Sequence, residues 1–232
     1  MYSKKYFILP IFLFLFCLAG AGAQVRDLPV FNNEFWFFAE NSPTLEVIEK
    51  TEQEKREEAD KKIKNLLEEA VFVYSGMIYG FSFSYTPSDR ARGIKEEFSI
   101  TPIAAIQFGD PAMSVKTTRK EKARTIVRLE YRCDKRHQSW LDYWNSSTFP
   151  VIGGTGTSFA SEGVTSRIEA MEQAAKDGIR NYMRGRIHNK PKIITGNFVF
   201  KEAPAIMFAA NMYTASVKIK LEIVTVENYN FF

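Results

Sequence analysis

The chain has 232 residues with a formal net charge of +4, 14% aromatic residues (20 Phe, 10 Tyr) and 2 cysteines. That length allows one sizeable core or two small ones. So small a net charge steers the whole chain to neither nucleic acid nor an anionic membrane, and two cysteines leave stability to packing rather than to cross-links.

Lys4 and Lys5 precede an apolar run from Tyr6 to Leu18 and a small-residue stretch Ala19-Gly20-Ala21-Gly22-Ala23. This is the layout of a secretory signal over residues 1–23, with cleavage expected after Ala23. The run is short for a membrane span. The bulky Phe16 before Cys17 argues against a lipidated cysteine. Removing 23 residues from 232 leaves a mature chain of 209, and losing two lysines takes the charge from +4 to +2. The expected compartment is the periplasm, with membrane contact only through the leader before cleavage.

Residues 24–42 form an aromatic arm without helical spacing, read as a short strand or a hydrophobic arm. Its rings Phe35, Trp36, Phe37 and Phe38 either cover the main core or insert into a partner. An α+β domain is expected over residues 43–232. Ser42 and Pro43 suit a helix start, and residues 43–70 form a charge-rich helix with favourably ordered pairs such as Glu57 with Lys61, Glu58 with Lys62 and Asp60 with Lys64. Its apolar stripe, Ala59, Ile63, Leu66, Leu67 and Ala70, places docking in the second half.

From 71 to 133 strand patterns dominate. Tyr79, Phe81, Phe83 and Tyr85 share one face, and Thr125, Val127, Leu129, Tyr131 and Cys133 alternate with Arg124, Arg128, Glu130 and Arg132. Residues 134–163 read as an irregular loop with the glycines Gly153, Gly154 and Gly156. A helix-plus-hairpin unit fills 164–232, its helix from about Ser161 to Arg186. Small residues at 174, 175 and 178 would let that helix lie close to a sheet, and Tyr213 to Ile223 alternates as a long strand. Ala59, Ile63, Asn65, Ile78 and Gly80 recur 116 residues later as Ala175, Ile179, Asn181, Ile194 and Gly196. Two helix-plus-hairpin units extending one antiparallel sheet, covered by two main helices, would follow.

Gly156-Thr157-Ser158-Phe159-Ala160-Ser161 resembles the nucleophile motif of subtilisin-like serine proteases. It lacks that family's proline at Glu162 and its histidine and aspartate settings. A glycine loop capping the second helix through Ser158 or Ser161 explains the same residues; a hydrolase would need His137 or His188 beside Ser158. No phosphate loop and no zinc spacing occur, so no cofactor and no metal are expected. Arg184, Arg186, His188, Lys190 and Lys192 gather where the second helix ends. They either favour its dipole or bind polyanions or lipid headgroups.

The helix Ala170 to Asn181 and the strand around Gly196, within residues 164–223, resemble the alanine-rich helix and hairpin of exported flagellar-assembly T-type proteins and related small envelope lipoproteins. Gly178 stands where that family prefers alanine, and no lipid cysteine is evident. The resemblance implies a non-catalytic periplasmic module docking on an envelope or flagellar assembly. The aromatic arm and the basic cluster supply the candidate partner-binding residues, Phe35, Trp36, Phe37, Phe38, Arg184, Arg186, Lys190 and Lys192. Alternatives are a serine hydrolase using Ser158 and a binder of an apolar ligand, the latter requiring a closed aromatic cavity beneath the second helix.

Overall fold

The computed structural model describes residues 28–38, 51–160, 163–187 and 189–229. The elements run β1 (Val30–Phe38), α1 (Glu52–Ile78), β2 (Phe81–Thr86), β3 (Glu97–Pro102), β4 (Met113–Glu121), β5 (Arg124–Arg132), α2 (Lys135–Trp144), β6 (Val151–Phe159), α3 (Val164–Arg184), β7 (Ile193–Phe200), β8 (Ala205–Ala209) and β9 (Met212–Glu227). A small sheet has the order β1-β5-β4, and a larger one β3-β2-β7-β9-β6 with β8 beside β9. Every strand pairing is antiparallel, so the α+β class with antiparallel sheet holds.

The long charged helix begins, among the described residues, at a capping box. Thr51 accepts from the Glu54 amide, and the Glu54 carboxylate accepts from the Thr51 amide at 2.7 Å. The start at Ser42 and Pro43 lies outside the described residues. Ile63 stays 50% exposed while Leu66, Ala70, Val73, Tyr74 and Ile78 are buried, so α1 docks late. Here the sequence reading needs correction, because residues 71–78 continue the helix rather than open a sheet. Their aromatic and β-branched residues look strand-like because α1 passes between the two sheets and needs apolar groups on opposite sides. Tyr74 meets Phe31, Phe35 and Tyr131 of the small sheet and donates its hydroxyl to the Leu129 carbonyl at 2.8 Å. Phe72 packs on Phe81 and Phe200 of the larger one. Gly80, at φ 80°, then turns the chain where a Cβ would meet the Phe198 carbonyl oxygen at 2.3 Å.

Phe81, Phe83 and Tyr85 are buried on one face of β2, and Thr125, Val127, Leu129 and Tyr131 on one face of β5. The described residues of the 134–163 segment do not form an irregular loop. Asp134 caps α2 by accepting from the Arg136 amide at 2.8 Å, and the glycine run belongs to β6. Those glycines are strand residues because α3 lies directly on them. A Cβ on Gly154 would sit 2.2 Å from the Ala174 carbonyl oxygen and one on Gly156 2.2 Å from the Ala174 amide nitrogen. Ala174, Ala175 and Gly178 of α3 are buried there, the close approach that the small residues foretold. Among the described residues the helices are therefore three, and α3 starts after Gly163 without a side-chain cap. Ser158 sits in the preceding strand, and Ser161 lies outside the described residues.

Two helix-to-hairpin successions share the larger sheet: α1 leads into the β2-β3 pair, α3 into β7 and β9, and β2 and β7 are neighbours with Phe83 opposite Gly196. The 116-residue correspondence does not superpose them. Ile63 is exposed where Ile179 is fully buried, and Ile78 ends a helix where Ile194 lies within a strand.

Candidate functional site

The aromatic arm is strand β1, paired along its length with β5. Phe35 is 4% exposed and edge-on to Tyr74, so this ring belongs to the core and is not available for insertion into a partner. Trp36, Phe37 and Phe38 are half-buried and line an open cleft of about 270 Å³ with Leu66, Phe208 and Tyr213. Phe38 meets Phe208 edge-on at 5.0 Å, and Trp36 packs on Tyr213. The Arg124 and Arg167 guanidiniums lie 3.9 and 4.4 Å from the Trp36 ring centre, within cation–π range.

Behind this cleft is a buried ion pair. Arg167 of α3 and Glu69 of α1 are 6% and 3% exposed, with Nε 3.0 Å from the Glu69 carboxylate. That N–H is not aimed at the oxygen and makes no hydrogen bond among the described residues. Arg167 also donates through Nη1 to the Trp36 carbonyl, so one side chain ties α3 to both α1 and β1. Burial pushes the Glu69 carboxyl up to about 7, opposed by the attraction of Arg167. Burial wins because removing a carboxylate from water costs several kcal/mol, more than this one neighbouring cation returns. Arg167, Glu69 and Trp36 also line a second, smaller cavity of about 220 Å³. Sequence reading missed this pair. Its one signal was an arginine within the inward stripe of Val164, Ile168 and Met171.

The basic cluster surrounds a second cleft. Arg184 and Lys190 line about 250 Å³ together with Arg180, Glu96 and the apolar Met183, Ile187 and Ile194. Lys190 Nζ donates to the Ser88 carbonyl at 2.8 Å. Arg186 lies over the Tyr182 ring at 3.6 Å, and Lys192 is exposed. His188 lies outside the described residues.

The groups that would serve catalysis are held by other partners. Ser158, 7% exposed, donates to the Glu169 carboxylate at 2.6 Å. His137, 2% exposed, contacts the Tyr131 hydroxyl at 3.2 Å and accepts from the Asp134 amide at 3.0 Å. Burial raises the Cys133 thiol to about 11, the direction of an inert core cysteine. No cluster of three or more metal-ligating side chains occurs among the described residues. No described helix is long and apolar enough to cross a membrane. Beneath α3 the helix sits flush on β6. An apolar groove of about 450 Å³ lies instead beside α2, where Leu28, Phe31, Met77, Leu141, Trp144 and Phe200 line it.

A protein-family model matches residues 20–229. A protein of Treponema pallidum (strain Nichols), described as uncharacterized, is 27% identical over 169 residues, which are 73% of this chain and 71% of that protein. No solved structure matches.

Proposed function

The chain belongs to the family whose model spans residues 20–229, and we propose that it is a non-catalytic periplasmic interaction protein that docks on an envelope or flagellar assembly. The cleft beneath Trp36, Phe37 and Phe38 carries this reading, because three neighbouring rings of one strand stay partly exposed in a concave, cation-edged surface. Aromatic rings flanked by guanidiniums are the side chains that concentrate binding energy at protein interfaces. The leader-like residues 1–23 support export, with cleavage after Ala23. The likeness of residues 164–223 to flagellar-assembly T-type proteins and envelope lipoproteins supports the class of partner.

A photo-crosslinking residue in place of Phe38 or Phe208, expressed in intact cells, tests the reading. Discrete adducts are expected from those positions and none from Lys120, on the exposed strand β4. Protein recovered free from both cleft positions refutes the docking role, and full-length protein in the cytosol with residue 1 attached refutes the compartment. A second reading, binding of an apolar ligand, has one observation in its favour, the groove beside α2. Quenching of tryptophan emission by a brominated fatty acid, absent in Trp144→Phe, would support it.

A further inference from the structure

The near-neutral net charge hides a segregation. The register that sets Tyr85 opposite Ile194, and the Lys190–Ser88 hydrogen bond, bring the 87–96 loop to the end of α3. Arg90 and Lys95 of that loop thereby join Arg184, Arg186, Lys190 and Lys192 at one end of the molecule. All six are exposed, and none has an ion-pair partner among the described residues. The acids between them are already used. Asp89 pairs with Arg92, and Glu96 is held by Lys176 at 3.4 Å and Arg180 at 3.9 Å and receives the Tyr85 hydroxyl. Glu97 and Glu227, at strand ends nearby, offset only part of the excess.

Amid these cations the cleft has an apolar floor of Met183, Ile187, Ile194, Pro87 and Pro191. A soluble polyanion would need the charges alone. Cations around an apolar hollow match an amphiphile whose charged head lies at the rim and whose hydrocarbon enters the floor. We infer that this end of the molecule docks on the surface of an anionic phospholipid bilayer, with Arg184 and Lys190 on lipid phosphates and the Ile187 floor taking part of one lipid. Cations near such a surface each add severalfold to partitioning, and the gain is screened by salt. The inference concerns a surface other than the aromatic cleft and leans on the periplasmic reading only for access to a lipid face, so the two fail separately.

The test is co-sedimentation of the full chain with phosphatidylcholine vesicles, with and without phosphatidylglycerol. The apolar residues before Ala23 would act on both compositions alike, and Lys4 and Lys5 would act equally in every variant, so the readout is the difference between variants. Binding that depends on phosphatidylglycerol and weakens in high salt is expected. It should fall about tenfold or more in the exposed double variant R184E/K190E but little in K120E/K122E, an equal charge change on the β4-β5 hairpin. Ile187→Gln should weaken vesicle binding at unchanged charge, with thermal melts confirming that each variant is folded. Equal binding to both vesicle types, or equal loss from the two double variants, overturns the inference. So does wild-type vesicle binding by Ile187→Gln together with full displacement by soluble polyphosphate, which would mark a polyanion site.

Discussion

The buried pair of Glu69 and Arg167 makes the stability of this protein depend on pH in a direction opposite to that of most carboxylates. Burial raises the Glu69 carboxyl from 4.5 to about 7, so the folded state holds its proton more tightly than the unfolded chain does. The stability this confers is fully present below pH 4.5 and is lost as pH rises through 7. The slope is about 1.4 kcal/mol per pH unit and the total about 3 kcal/mol, with no discount for solvent because the side chain is almost wholly enclosed. In Glu69→Gln the titration disappears while most of the packing remains. Urea unfolding followed by circular dichroism at pH 5 and pH 8 should show the stability of Glu69→Gln, relative to wild type, increasing by about 2–3 kcal/mol between those two values. All other titrating groups cancel in that difference. Arg167→Met should cost about 1 kcal/mol more at pH 8 than at pH 5, because without the cation that opposes burial the carboxyl must take up at pH 8 a proton that it already holds at pH 5. A difference between Glu69→Gln and wild type that does not change with pH would refute the reasoning.

Three further outcomes follow from the packing. Gly154→Ala and Gly156→Ala drive a methyl group into the α3 backbone and should each lower stability by about 2 kcal/mol or more, whereas Gly153→Ala, whose nearest neighbour would be 3.5 Å away, should be tolerated; equal melting temperatures for all three would contradict the flush contact of α3. Ser158→Ala removes a hydrogen bond to an exposed carboxylate and should cost about 1 kcal/mol with no change in the hydrolysis of a nitrophenyl ester; an esterase activity lost with Ser158 would revive the hydrolase. In a Cys17→Ser chain, Cys133, raised from 9.0 to about 11, should have roughly a hundredth of the usual thiolate and alkylate far more slowly when folded than in urea; equal rates would show the thiol to be open.

Much of the architecture was legible because it rests on periodicity. The alternations in β2, β5 and β9 and the small residues of α3 each report a local geometry that needs no knowledge of the partner element. The errors fall where tertiary packing reverses a local signal. Val71 to Tyr74 look like strand because a helix squeezed between two sheets loses its polar face. Gly153 to Gly156 look like a turn because glycine in a strand is rare unless another backbone must come close, and that demand comes from α3, some twenty residues later. Phe35 reads as one of four equal rings, yet period-2 alternation sends it toward Tyr74 while Trp36 turns to Arg167. Pair chemistry on one helix was legible only in part. Glu58 and Lys62 meet at 2.7 Å, but Lys64 turns to Glu68.

The candidate sites were less legible than the fold, for a reason that the two clefts share. Each is made by residues distant in the chain whose proximity is set by strand register. Arg167 reaches Trp36 across 131 positions and Lys190 reaches Ser88 across 102. A charge read along the sequence is therefore a poor guide to the charge of a face. The cluster at 184–192 looks modest beside a helix dipole until β2 and β7 pair and deliver Arg90 and Lys95 to it. Likewise an arginine within an apolar stripe looks like a misfit until Glu69 of α1 is placed opposite. A buried pair of this kind adds little net stability, since its attraction barely repays desolvation. Its physical effect is to fix α3 against α1 and to hold the carbonyl of Trp36, so the geometry of the aromatic cleft depends on this one contact.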